Sequence, residues 1–176
     1  QASVLLPHTI DASSIKNGTT IPEVDTGAGE VAWSSTTAYA GIENNINHGG
    51  CLWASIAPST NVVPGTHTGK WRPSGPSNRM APCDKKISTR ATRAGELTYV
   101  LVLPDIYNGL ALYGLQGDML QVIHKTAPDG DVLMDWSGEL YEQPFDLFEY
   151  LFFQQTPLKQ KAFSDMDMVP GGELTI

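Results

Sequence analysis

The stretch Met119–Trp136 reads MLQVIHKTAPDGDVLMDW. Two apolar runs of strand length, Met119–His124 and Val132–Trp136, flank the pair Asp129-Gly130. A tight turn needs positive φ, which Gly adopts without penalty and Asp tolerates, so the stretch predicts an antiparallel hairpin. Toward the N-terminus, Glu96–Leu103 (ELTYVLVL) and Leu110–Leu115 (LALYGL) are separated by Asn108-Gly109. The same logic predicts a second hairpin there, its loop lengthened by Pro104–Asn108. Toward the C-terminus, Phe145–Phe153 (FDLFEYLFF) is apolar at Phe145, Leu147, Phe148, Leu151 and Phe152. These positions fit a helical face slightly better than a strand's alternation, and Pro144 and Pro157 bound the segment either way. Lys161–Met166 and Glu173–Ile176 read as closing strands, with Gly171-Gly172 turning between them.

The first half is rich in Thr, Ser, Asn and Gly. Val4-Leu5-Leu6 reads as a short strand, and Asn17-Gly18 and Gly27-Ala28-Gly29 as turns. Val31–Tyr39 (VAWSSTTAY) and Cys51–Ile56 (CLWASI) mix aromatic and β-branched residues and predict strands, with Asn44–Gly50 (NNINHGG) as a loop between them. Arg72–Asp84 (RPSGPSNRMAPCD) holds Pro73, Pro76 and Pro82, which fix φ and remove backbone donors. It predicts a connector or an edge-covering arm. No internal repeat is visible. Short strands with Gly and Pro turns argue for an all-β chain, an antiparallel β-sandwich or jelly roll preceded by a small irregular Trp-containing β module. The expected division is an N-terminal arm and module over 1–72, a Pro-rich connector over 73–83 and a sandwich over 84–176.

Composition narrows the function. The chain has 176 residues, a net charge of −8 and 41% hydrophobic residues. That length suits one domain, or one domain with a smaller appendage, and the hydrophobic content suffices for a core. The acidic balance counts against non-specific nucleic-acid binding, which needs a clustered positive face. No run of about 18 apolar residues exists to span a bilayer as a helix, so no membrane insertion is expected. The N-terminus lacks the charged-then-apolar order of a secretory signal. Cys51 and Cys83 are too few for a disulfide framework; they are either two reduced thiols or a single bridge.

Reactive constellations are scarce. The sequence has no G-x-x-x-x-G-K-[ST] phosphate loop, no G-x-S-x-G elbow and no H-E-x-x-H. His8, His48, His67 and His124 are scattered. His48 and Cys51 stand at H-x-x-C spacing with Cys83 as a third soft ligand, but a structural zinc site wants four ligands in tight pairs, so no metal and no cofactor are expected. Asp129 with Asp131, and Asp165 with Asp167, read first as acidic turns and only second as paired carboxylates for acid/base work or calcium. Asn17-Gly18-Thr19 matches the glycosylation acceptor pattern, relevant only to a eukaryotic secreted chain. The expectation is that the chain is not an enzyme.

Trp33, Tyr39, Trp53 and Trp71 gather in the first half. Flat rings of this kind stack on sugars, and they also staple small domains that bury little other surface. Arg79, Lys85, Lys86, Arg90 and Arg93 form the one basic concentration, either a solvated loop or a face for an acidic partner.

Taken together, Trp33, Thr36-Thr37, Tyr39, Trp53-Ala54, Pro58 and Trp71 resemble the opening of tailed-bacteriophage virion proteins that begin with a module like a chitin- or cellulose-binding module. Gly75-Pro76-Ser77-Asn78-Arg79-Met80-Ala81, with Asp84 and Ser88-Thr89, resembles the G-P-T-N-R-x-A-M-F-D…S-T segment of the same proteins. Leu110-Ala111-Leu112-Tyr113-Gly114-Leu115 resembles their L-A-L-F-G-L strand, and Leu147–Phe153 the aromatic segment near their end. Pro82-Cys83 stands where that family tends to have Met-Phe, and Gly41-Ile42-Glu43 in place of its G-D-x-V-x-Y element. The resemblance implies a galactose-binding-like sandwich in a phage tail, at the tail tip, baseplate or fibre-attachment region. It implies a structural protein assembled in the host cytoplasm, whose partners are other tail proteins, in several copies per particle, with a host surface glycan as the alternative partner. On this reading Asn78, Arg79 and Asp84 brace a junction between the two modules, with the planar fork of Arg79 holding carbonyls or a carboxylate. Trp33, Tyr39, Trp53 and Trp71 are the candidates for glycan stacking. The first ten and last ten residues are expected on neighbouring subunits.

Overall fold

A computed structural model of the chain describes residues 9–84, 86, 89–140 and 160–176. The fold is all-β, as the sequence predicts, and its sheets are largely antiparallel. It divides into two compact units, one built on Asp11–Ser13 and Thr19–Leu97, the other on Ser14–Gly18 and Thr98–Ile176. The Pro-rich stretch lies wholly inside the first unit.

In the first unit, β1 (Val31–Ala32), β3 (Ile46–His48), β4 (Cys51–Ser55) and β6 (Trp71–Pro76) form a four-stranded sheet in that order, with β1 parallel to β3 and the other pairs antiparallel. A small ladder joins β2 (Ala38–Tyr39) to β5 (Ser59–Thr60). The expected strand Val31–Tyr39 is therefore two short strands, broken by a Ser34–Thr37 turn. The expected loop Asn44–Gly50 holds strand β3, and only Gly49 and Gly50 make the turn. Both have positive φ, 62° and 76°, the twist that a two-residue hairpin loop requires. The polar sequence of β3 hides it, because its buried Asn47 is satisfied by side-chain bonds rather than by apolar contact. Trp71–Pro76 is not a connector but an edge strand. Pro73 and Pro76 are tolerated there because the outer side of an edge strand has no ladder to complete. Ala81–Cys83 is a 3-10 turn.

The second unit carries β7 (Val100–Val102), β8 (Leu110–Tyr113), β9 (Met119–Lys125), β10 (Val132–Glu139), β11 (Gln160–Phe163) and β12 (Glu173–Thr175). One sheet runs β10-β9-β12-β7, and a second pairs β11 with β8. The predicted β9–β10 hairpin is present: Asp129 takes φ 62° in the turn, and the ladder pairs Met134 with His124 through Glu139 with Met119. The second predicted hairpin is absent. Neither Asn108 nor Gly109 takes positive φ, and β7 pairs with β12 while β8 pairs with β11. Of the last ten residues, Glu173–Thr175 form β12 between β9 and β7, with Leu174 1% exposed, while Met168 is 66% exposed. Ser14 and Lys16 bond the backbone of β7, and an Ile15–Leu101 bridge adds to that edge. Along β9 burial alternates: Leu120, Val122 and His124 face the core, while Met119 and Gln121 face solvent. Trp136 on β10 meets Phe163 on β11 edge to face at 5.1 Å, with the Lys161 ammonium 4.4 Å over its ring, so the two sheets stack as in a β-sandwich. The predicted strand Val4–Leu6 and the segment Phe145–Phe153 lie outside the described residues.

Candidate functional site

Glu30 sits at the entrance to β1 and is 3% exposed. Its Oε2 accepts from the Asp25 backbone N–H at 3.0 Å and from Asn47 Nδ2 at 2.6 Å, and its Oε1 from the Asn78 backbone N–H at 2.7 Å. A buried carboxylate is tolerated only when donors surround it, and here three do. Asn78 extends the network. Its Nδ2 donates to Asp25 Oδ2 at 2.7 Å and to the Thr92 carbonyl at 3.1 Å, and its Oδ1 accepts from the Thr92 N–H. Asn47 Nδ2 also donates to the Glu23 carbonyl, Arg79 Nη1 to the Ile21 carbonyl at 3.0 Å, and Arg93 to the Thr20 carbonyl. Asp25 caps the 3-10 turn Thr26–Ala28, and Gly29 closes it at φ 79°. The Asn78 bond, first among its causes, holds the Asp25 carboxyl below its usual value.

Asn78 and Arg79 thus fasten the 20–30 segment and Thr92 to the first sheet. The bonds described here join parts of one unit. Asp84 takes no part in these bonds: it accepts from Thr89 Oγ1 and the Lys86 N–H, and the Thr89 bond chiefly lowers its pKa. Ser88 and Lys85 lie outside the described residues. Of the remaining basic group, Lys86 and Arg90 are exposed. Glu43 tightens a neighbouring turn by accepting from the N–H groups of Ala40, Gly41 and Ile42, which hold its carboxyl at about 2 with the Ala40 bond foremost.

The four aromatics come together, mostly as core. Tyr39 and Trp71 are 5% and 2% exposed, pack edge to face at 4.9 Å, and enclose Ile46. Tyr39 Oη accepts from the Ser34 N–H, and Trp71 Nε1 donates to the Val62 carbonyl. Rings so placed have no free face for a sugar. Trp33 and Trp53 are half-buried and pack against this cluster: Trp33 meets the His48 ring at 5.1 Å, and Trp53 Nε1 donates to the His48 carbonyl.

His48 and Cys51 face each other across the β3–β4 turn. Both cysteines are free thiols, Cys51 exposed and Cys83 half-buried. Burial, then the Asp84 charge, pushes the Cys83 thiol up to about 11. Among the described residues no three His, Cys, Asp or Glu side chains converge as metal ligands, and no helix is long and apolar enough to cross a membrane. Two groups escaped the sequence reading. Glu30 carries no motif around it. His124 had a signal, an imidazole in the buried register of an alternating strand. No family model, curated protein or solved structure matches the chain.

Proposed function

We propose that the chain is a structural component of a bacteriophage tail, at the tail tip, baseplate or fibre-attachment region, acting through contacts with other tail proteins and performing no reaction. One observation supports this most. The segment that resembles tail proteins, Ser77–Ala81, spends its polar groups on bracing: Asn78 and Arg79 hold neighbouring backbone, and Ser77, fully buried, anchors the turn that follows. Such a segment keeps a surface in shape and offers no reacting group. The chain would take its place in the virion in several copies after assembly in the host cytoplasm. The test is mass spectrometry and immunogold labelling of gradient-purified particles from cells that produce the chain. Labelling confined to the tail, at a stoichiometry of whole copies per particle, is the expected result; a chain that stays in the soluble lysate overturns the reading.

A second reading, a receptor- or carbohydrate-binding module of the virion, draws on Trp33 and Trp53 beside His48. A glycan array of the purified chain separates the two. Saturable binding lost in Trp53→Ala, with unchanged circular dichroism, favours the module; an empty array favours assembly alone.

A further inference from the structure

His124 is the one imidazole in the buried row of β9, with no exposed surface. Among the described residues neither Nδ1 nor Nε2 has a hydrogen-bond partner, and the same holds for the Tyr107 hydroxyl beside it, ring centroids 5.2 Å apart. Directly across the two ladders stand Met134 on β10 and Leu174 on β12, both apolar. The backbone of Gly172 closes over the ring. A Cβ at that residue would stand 3.1 Å from Nε2, 3.4 Å from Tyr107 Oη and 3.0 Å from the Lys125 carbonyl oxygen. We propose that His124 makes the second unit acid-responsive, a proton on its ring opening the seam between β9 and β12.

The ring is neutral in the closed sheet because a buried imidazolium without acceptors is strongly disfavoured. Among the described residues the titratable groups around it are few. Tyr107 is a neutral phenol that burial pushes up to about 12. Asp167, exposed, is the one anion whose charge favours the imidazolium, and burial outweighs it, so the His124 pKa is lowered. Lys125 and Glu173, next along β9 and β12, are committed to each other at 2.8 Å. A proton therefore has no compensating partner until the Gly172 backbone moves, and Gly172 leads directly into β12. That strand is only Glu173–Thr175, so a small displacement unzips it from both β9 and β7.

The sign follows from linkage. The opened state binds a proton at the ordinary histidine value of 6.5, while the closed state binds it only at a lower pH. Closed-state stability is intact above that value and is lost as pH falls below it. Opening rises by as much as tenfold per pH unit, and so up to about thirtyfold at pH 5. The test is histidine NMR and amide hydrogen exchange on the full chain between pH 7.5 and 5. The His124 ring signal is expected to stay at its neutral position in the closed state while protection factors at Glu173, Leu174 and Thr175 fall up to thirtyfold. Those of Trp53 and Ala54 in the first unit should hold. His124→Leu should abolish the pH dependence. A ring that titrates near 6.5 with protection unchanged, a protection that is flat down to pH 5, or a leucine variant that keeps the full dependence each overturns the proposal. If the variant does not fold, the two wild-type readouts decide.

Discussion

Glu30→Gln keeps the side chain's size and removes its charge. Oε2 serves two donors, Asp25 N–H and Asn47 Nδ2, and Oε1 serves the Asn78 N–H. A carboxamide offers one acceptor oxygen and one NH2. With the oxygen turned toward Asp25 and Asn47, the NH2 confronts the Asn78 N–H; turned the other way, it confronts two donors. At least one buried donor is stranded in either rotamer, and the surviving bonds lose their charge assistance. A hydrogen bond to a charged group contributes about 1.5–3 kcal/mol, and a stranded buried donor costs about as much, so the expected loss is about 3 kcal/mol. Urea unfolding followed by tryptophan fluorescence reads chiefly this unit, because three of the four tryptophans, Trp33, Trp53 and Trp71, lie in it. With a slope of about 1–2 kcal/mol/M, the midpoint should fall by roughly 2 M. Glu23→Gln, at an exposed site, should stay within about 0.5 kcal/mol of wild type. A Glu30→Gln shift no larger than that control would refute the claim that the carboxylate holds the segments together.

Four further outcomes are expected. Gly50→Ala should cost about 1–2 kcal/mol in the same urea assay, since φ is 76° and the new Cβ would stand 2.7 Å from Met80 Cγ. With a thiol reagent such as DTNB at pH 7.5, Cys51 should react rapidly in the native chain and Cys83 only on unfolding, as its exposure and raised pKa require; two equally fast thiols would contradict this. Glu173→Gln should weaken the β9–β12 seam by less than about 1 kcal/mol in hydrogen exchange, because its Lys125 partner is partly solvated. Asp25, Asp84 and Glu43 all have lowered pKa values, so the stability that they supply is complete above their ordinary values of 3.8 to 4.5 and lost as pH falls below them. The first unit should therefore keep its amide protection at Trp53 and Ala54 down to about pH 4.5, and a protection already falling at pH 6 would contradict that assignment.

What was legible in the sequence is what local chemistry controls. The β9–β10 hairpin is spelled out by alternation and by Asp129-Gly130, and Gly18, Gly29 and Gly171 turn where residues with positive φ are needed. Asn108-Gly109 carries the same cue and makes no such turn. Val100–Val102 finds its partners in Glu173–Thr175, and Leu110–Tyr113 in Gln160–Phe163. Pairings so distant in the chain leave no mark in the local pattern. The site divides likewise. Asn78 and Arg79 could be singled out, but not their partners: Glu30 lies 48 residues from Asn78 along the chain. Trp71 and Tyr39 are aromatic whether they meet a sugar or a core, and only burial tells the two apart.

Each unit buries a polar group where an apolar one would be simpler, and the two solutions have opposite consequences. Glu30 is surrounded by donors, so its carboxylate fixes the geometry of three segments. His124 is surrounded by Met134, Leu174, Tyr107 and the Gly172 backbone, so its neutrality is a condition of the closed sheet. Mild acid therefore acts on the second unit, while the lowered carboxyls of Asp25, Glu43 and Asp84 in the first stay ionised. A single pH series with unit-resolved exchange should show protection at Leu174 and Thr175 falling from about pH 6.5, while protection at Trp53 and Ala54 holds until the carboxylates of Asp25, Glu43 and Asp84 begin to protonate. Coincident loss in both units would mean that His124 does not set the acid response of its own sheet.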